Sequence, residues 1–124
     1  MDSFAIASRF PDSTVDYLVA DVLDLPADWQ AAFDVVVEFN TIQSIEPARR
    51  PQVIEAIAST VAAGGRLFVR AMVRADGSPA RTRPWPVSRA ELSDFVGAGL
   101  REISYQVATN PLTGNPGFVA VYTR

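Results

Sequence analysis

Apolar and polar positions recur along this chain with two different periods, and the switches between them divide it into strands and helices. Five apolar runs have strand character. Residues 15–20, Val-Asp-Tyr-Leu-Val-Ala, are rich in β-branched and aromatic side chains and are bounded by Pro11-Asp12-Ser13 before and an acidic stretch after. Residues 33–37, Phe-Asp-Val-Val-Val, are nearly continuous in apolar residues, the pattern of a parallel strand buried on both faces. Residues 67–73 follow the Gly64-Gly65 pair and read the same way. Residues 102–108 and 118–123 are separated by Thr109-Asn110-Pro111-Leu112-Thr113-Gly114-Asn115-Pro116-Gly117, which is turn chemistry throughout and predicts an antiparallel hairpin with a long loop.

Helical spacing takes over between these runs. Val53, Ile54, Ile57, Ala58 and Val61 form one apolar stripe that Gly64 stops, and Pro51 marks its first turn, with residues 47–50 as a looser turn ahead of it. Ser88-Arg89-Ala90-Glu91 is a capping box opening a second helix, with Leu92, Phe95 and Val96 facing inward and Gly97 or Gly99 ending it. Residues 5–10 read as the tail of a further helix. This alternation predicts an α/β fold over residues 1–124, a single domain with parallel central strands covered by helices and an antiparallel hairpin at one edge.

Composition narrows the chemistry. The chain is 48% apolar and contains no Cys and no His, which excludes disulfides, thiolate nucleophiles, Cys-ligated metals and the commonest general base. All eleven cations are Arg, so there is no lysine for a Schiff base or a phosphate loop. A net charge of -3 argues against nucleic acid as a general partner. No run approaches the roughly 20 apolar residues that cross a bilayer, and Met1-Asp2-Ser3-Phe4 lacks the positive flank of a secretion signal, so no membrane partner and a cytoplasmic location are expected. The acids at 21, 24 and 28 form no calcium loop, and no metal site is expected.

The ordered set Val15-Asp16-Tyr17-Leu18-Val19-Ala20-Asp21, Leu25-Pro26, Phe33-Asp34-Val35-Val36-Val37 and Ala63-Gly64-Gly65-Arg66-Leu67-Phe68-Val69 resembles the second half of a class I S-adenosylmethionine-dependent methyltransferase. The stretch from Arg83 to Leu92, followed by Ala98-Gly99-Leu100, is similar to bacterial small-molecule members of that family. The resemblance implies a Rossmann-like sheet, S-adenosylmethionine as cofactor and a small-molecule acceptor. The family's first strand and glycine-rich turn have no counterpart here. Gly97-Ala98-Gly99 follows a helix and precedes a strand, the wrong order for a cofactor cradle, so the chain reads as truncated at its amino end.

The resemblance also assigns roles. Asp21 would accept a hydrogen bond from the adenine amino group with the Val22 N–H on a ring nitrogen, the alternative being an acidic turn residue. Glu38, Phe39 and Asn40, at the end of the second run, stand where the cofactor's methionine part and the acceptor meet. There Glu38 would orient the cofactor ammonium or take a proton from the acceptor, or else simply end a strand. Thr41 and Gln43 come next and would line an acceptor pocket. Trp85, between two prolines in an Arg-rich loop, would stack on substrate or plug the core edge, and Arg81 and Arg83 would meet an anionic acceptor or solvent. Two functions follow: a small-molecule methyltransferase, or a non-catalytic methyltransferase-like domain that folds as an oligomer without cofactor. In both, strands deprived of their usual neighbours predict a homo-oligomer.

Overall fold

The computed structural model describes residues 11–16, 18–77 and 84–124. Strand β1 (Phe33–Phe39) leads through short 3-10 turns at Ile42–Ser44 and Pro47–Arg49 into helix α1 (Arg50–Ser59). Strand β2 (Val61–Arg74) returns alongside β1. A two-residue strand β3 (Val87–Ser88) and the short helix α2 (Ser93–Gly97) precede the hairpin strands β4 (Arg101–Thr109) and β5 (Pro116–Thr123). The sheet order is β1-β2-β5-β4. β1 and β2 run parallel, β5 is antiparallel to both β2 and β4, and β3 adds a parallel step at the end of β2.

Sequence chemistry accounts for these boundaries. Pro47 opens a 3-10 turn and Pro51 occupies the first turn of α1, where a missing N–H costs nothing. Gly64 adopts φ 76°, and its N–H is taken by the Arg124 carbonyl at 2.9 Å. The capping box forms reciprocally: the Glu91 N–H donates to Ser88 Oγ at 3.2 Å and the Ser88 N–H to Glu91 Oε1 at 3.0 Å. In the hairpin loop the Asn110 N–H donates to the Asn115 carbonyl and Gly114, at φ 73°, donates back to the Asn110 carbonyl, both at 2.8 Å.

Both helices cover one face of the sheet. Val53, Ile54, Ile57 and Ala58 of α1 and Phe95 of α2 pack on Leu67, Val69 and Ala71 of β2 and on Phe118, Ala120 and Tyr122 of β5. The opposite face is open among the described residues. Val35, Val37 and Phe39 are 63%, 56% and 52% exposed, and Val119 beside them is exposed as well.

Several expectations are corrected. Residues 15, 16 and 18–20 are not in a strand, and Val19 is 74% exposed. Their strand propensity has no strand to pair with among the described residues, and propensity without a ladder does not hold extended backbone. β1 is buried on one face only, because it is the edge of the described sheet and nothing described lies over its odd-numbered side chains. β2 begins at Val61 rather than at 67, so Val61 belongs to the strand and not to the helical stripe, and α1 ends at Ser59 while Gly64, expected to stop it, lies inside β2. The second helix is shorter than its capping box promised, residues 89–92 being turn, and Val96 faces solvent. The helix expected at 5–10 lies outside the described residues, as do Arg81 and Arg83. No helix among the described residues is long and apolar enough to cross a membrane.

Candidate functional site

The carboxyl end of the parallel pair is where backbone and side chains converge. Strand alternation sends Val36 and Glu38 toward the helices and Val37 and Phe39 to the open face. At Asn40 the chain leaves the strand in a left-handed conformation, φ 64°, which Asn tolerates better than most residues, and its N–H donates to the Arg70 carbonyl at 2.8 Å. The turn that follows is held by Glu38. Its Oε1 accepts the N–H groups of Thr41 at 2.7 Å and Ile42 at 3.2 Å, while Oε2 is buried with no hydrogen-bond partner. Glu38 is only 5% exposed. Burial pushes its carboxyl above the usual range, against the lowering effect of the Thr41 and Ile42 donors.

Gln43 ties this turn to two neighbours. Its Oε1 accepts the Met72 N–H at 2.8 Å, and its carbonyl accepts the Trp85 N–H at 2.6 Å. Behind the turn stands Arg50, 1% exposed. It donates to the Ile42 carbonyl at 3.0 Å, to the Pro86 carbonyl at 3.2 Å, to the Trp85 carbonyl, and to Glu91 at 2.9 Å. Arg74 meets the other Glu91 oxygen at 2.5 Å. Burial alone would raise the Glu91 carboxyl. The Ser88 N–H, Arg50 and Arg74 outweigh it and hold that carboxyl below its ordinary range.

Between this turn and the β4–β5 loop lies a cavity of about 660 Å³. Asn40 and Gln43 form one side, Arg70 and Met72 of β2 the floor, and Gln106, Asn110, Leu112 and Asn115 the hairpin side. Of the residues singled out from sequence, the structure brings Asn40 and Gln43 to this cavity. Thr41 is exposed on the adjoining turn, Phe39 is exposed on the open face, Glu38 faces the core and braces the turn, and Trp85 is half-buried beside Gln43 without lining the cavity.

Asp21 and Val22 stand elsewhere. Asp21 closes a turn on itself, its Oδ1 accepting the Leu23 N–H and its carbonyl the Asp24 N–H, each at 2.9 Å. Val22 lines a separate cavity of about 200 Å³ with Trp29 and with Ser59 and Thr60 at the far end of α1. Sequence reasoning passed over Arg50 and Arg70. Arg50 was hidden by its place in a Pro-flanked turn. Arg70 is marked only by period two, as the polar member of Phe68-Val69-Arg70-Ala71-Met72.

Neither any family model nor any curated protein matches the chain. Solved structures do match in shape. The crystal structure of N-methyltransferase NodS from Bradyrhizobium japonicum WM9 superposes with TM-score 0.72 at 14% identity, over 94% of this chain and 64% of that one. The 1,6-didemethyltoxoflavin-N1-methyltransferase of Burkholderia thailandensis, solved with 1,6-didemethyltoxoflavin and S-adenosylhomocysteine, gives 0.72 at 18%, over 98% and 56%. This chain has the methyltransferase fold. The [4+2]-cyclase SpnF shares that fold too, with TM-score 0.74 at 15% identity over 95% of this chain and 59% of its own. The chain thus spans between half and two thirds of the length of these methyltransferase-fold structures. Shape at this identity fixes the architecture and leaves the reaction to the side chains.

Proposed function

We propose that the chain is the catalytic-face portion of an S-adenosylmethionine-dependent methyltransferase acting on a small molecule. The observation that carries this reading is the cavity at the carboxyl end of the parallel pair, the place where open α/β sheets collect ligands, on a chain whose fold is that of methyltransferases. When bound, the cofactor supplies a methyl group on a sulfonium, displaced in line by the acceptor. The protein's task is then to position the reactants and keep water out, which makes the lack of His, Cys and Lys no obstacle.

The residues fit that cofactor in part. Asp21 retains one carboxylate oxygen, and Val22 its N–H, without a partner among the described residues, the acceptor and donor an adenine edge requires. The glycine-rich turn that the resemblance calls for has no counterpart in these 124 residues, and an upstream segment or a partner chain is the proposed source. Glu38 would set the Asn40–Thr41 turn, with Phe39 and Asn40 beside the reacting groups. Thr41, Gln43 and Trp85 would form the acceptor side, and the site needs no metal.

A second reading has its own support. The unpaired edge of β1 and the exposed Val35 and Val37 favour a non-catalytic domain of the same fold that is stable as a homo-oligomer. Calorimetric titration of S-adenosylmethionine and S-adenosylhomocysteine into the 124-residue chain separates the two. Micromolar binding, weakened about tenfold or more by Asp21→Ala, is expected for the methyltransferase. Absence of heat with both ligands favours the second reading instead.

A further inference from the structure

The 660 Å³ cavity has an unusual charge pattern for a chain with fourteen acidic residues and a net charge of -3. Among the described residues no carboxylate lines it, and Arg70 is the one charged residue that does. The ion pairs among the described residues use Arg50, Arg74 and Arg89, so the Arg70 guanidinium has no acidic partner there. Its surroundings on the sheet are apolar. Phe39 and Val119 flank it in register on β1 and β5, and Phe68 and Met72 share its face two residues to either side. Arg70 is itself exposed, so an anion can reach its guanidinium directly, and the planar guanidinium can also lie against these apolar neighbours.

Around Arg70 stand neutral donors. The side-chain amides of Asn40, Gln106 and Asn115 make no hydrogen bond among the described residues and are free to turn toward a ligand. Met72, Leu112 and Val119 supply an apolar wall. At about 660 Å³ the space is that of a small organic molecule rather than of a polymer or a bare ion.

We infer that this cavity binds a small organic anion, its carboxylate on Arg70 and its apolar body against the Met72–Leu112 wall. Its role as the methyl acceptor's site rests on the function proposed above; the binding itself does not. A planar carboxylate pairs with the guanidinium in a fork and leaves the amides to fix the remaining polar groups of the molecule.

The test uses 2-naphthoate, its uncharged analogue 2-naphthamide and inorganic phosphate, titrated without cofactor into the 15N-labelled chain and followed by amide chemical shifts. Naphthoate is expected to bind with Kd below about 1 mM, shifting residues 40, 70–72 and 106–117, and naphthamide at least about tenfold more weakly. Arg70→Gln is expected to bring naphthoate down to the level of naphthamide, and Leu112→Glu, on the exposed loop, to weaken it similarly. Arg66→Gln, on the same face of β2 but outside the cavity, should leave binding unchanged. Equal affinity for naphthoate and naphthamide, shifts centred elsewhere, no binding of either, or phosphate competing as well as naphthoate would each overturn the inference. A separate titration with S-adenosylhomocysteine keeps the two ideas apart. Its failure with naphthoate binding intact counts against cofactor binding by this chain and leaves the anion site; the reverse removes the anion site alone.

Discussion

A carboxyl group withdrawn from water, with two backbone donors on one oxygen and none on the other, resists ionisation. Glu38 is that group, and burial raises its pKa from the ordinary 4.5 despite the Thr41 and Ile42 donors. The sign of the pH dependence follows. The folded state holds the Glu38 proton more tightly than the unfolded chain, so the stability this proton supplies is complete below about 4.5 and is lost as pH rises through the folded value. Glu38→Gln carries no such proton. In urea titrations from pH 3.5 to 8, wild type is expected to lose stability relative to Glu38→Gln as pH climbs, and the gap to level off once Glu38 has ionised. Parallel curves would show that the carboxyl ionises as easily in the fold as outside it. Glu38 could be picked from sequence because it ends an apolar run; its inward direction and its hold on the next turn required the register of β1 against β2. Arg50 could not be picked, because its four acceptors are spread over residues 42 to 91 and become neighbours only in the fold.

At the level of elements, the joint between β1 and β2 is packed tightly at residue 65. The register slips between Phe33 and Val35, and Gly65 passes beside that irregularity with no room for a side chain. A Cβ on residue 65 would meet the carbonyl oxygens of Ala62 at 2.9 Å, Phe33 at 3.0 Å and Asp34 at 3.1 Å. All three are backbone atoms, so relief demands movement of the strands themselves. Gly65→Ala is therefore expected to cost about 1–3 kcal/mol in urea unfolding, while Gly97→Ala, whose Cβ would meet open space, is expected to be neutral or slightly stabilising. Equal stability of the two variants would refute this account. Helix α1, the parallel pair and the hairpin were legible because each carries a long periodic pattern, though the end of α1 at Ser59 carries no Pro or Gly signal. Residues 15–20 misled because strand propensity reports what a segment suits and not whether a neighbour exists to pair with it.

At the scale of the molecule, the sheet is finished on one side only among the described residues. Its helix-covered face is closed, while the other presents Val35, Val37, Phe39 and Val119, and β1 offers an unpaired edge among the described residues. Exposed edges of this kind recruit partners. We expect a dimer or larger homo-oligomer by light scattering at micromolar concentration, with Val37→Arg shifting it toward monomer without changing the circular dichroism spectrum. A monodisperse wild-type monomer would remove the oligomer from both functional readings. The α/β class and its closing hairpin could be read from the order of patterns alone, whereas the bare face could not, since an apolar strand looks the same in sequence whether or not something lies over it.

The order β1-β2-β5-β4 also bears on how the chain is made. β2 sits mid-sheet, yet β5 (Pro116–Thr123), its partner on the side away from β1, comes after β3, α2 and β4 along the chain. A ribosome feeding out this chain therefore displays a half-zipped central strand until β3, α2 and β4 have all been made and Pro116–Thr123 follows to fill the gap.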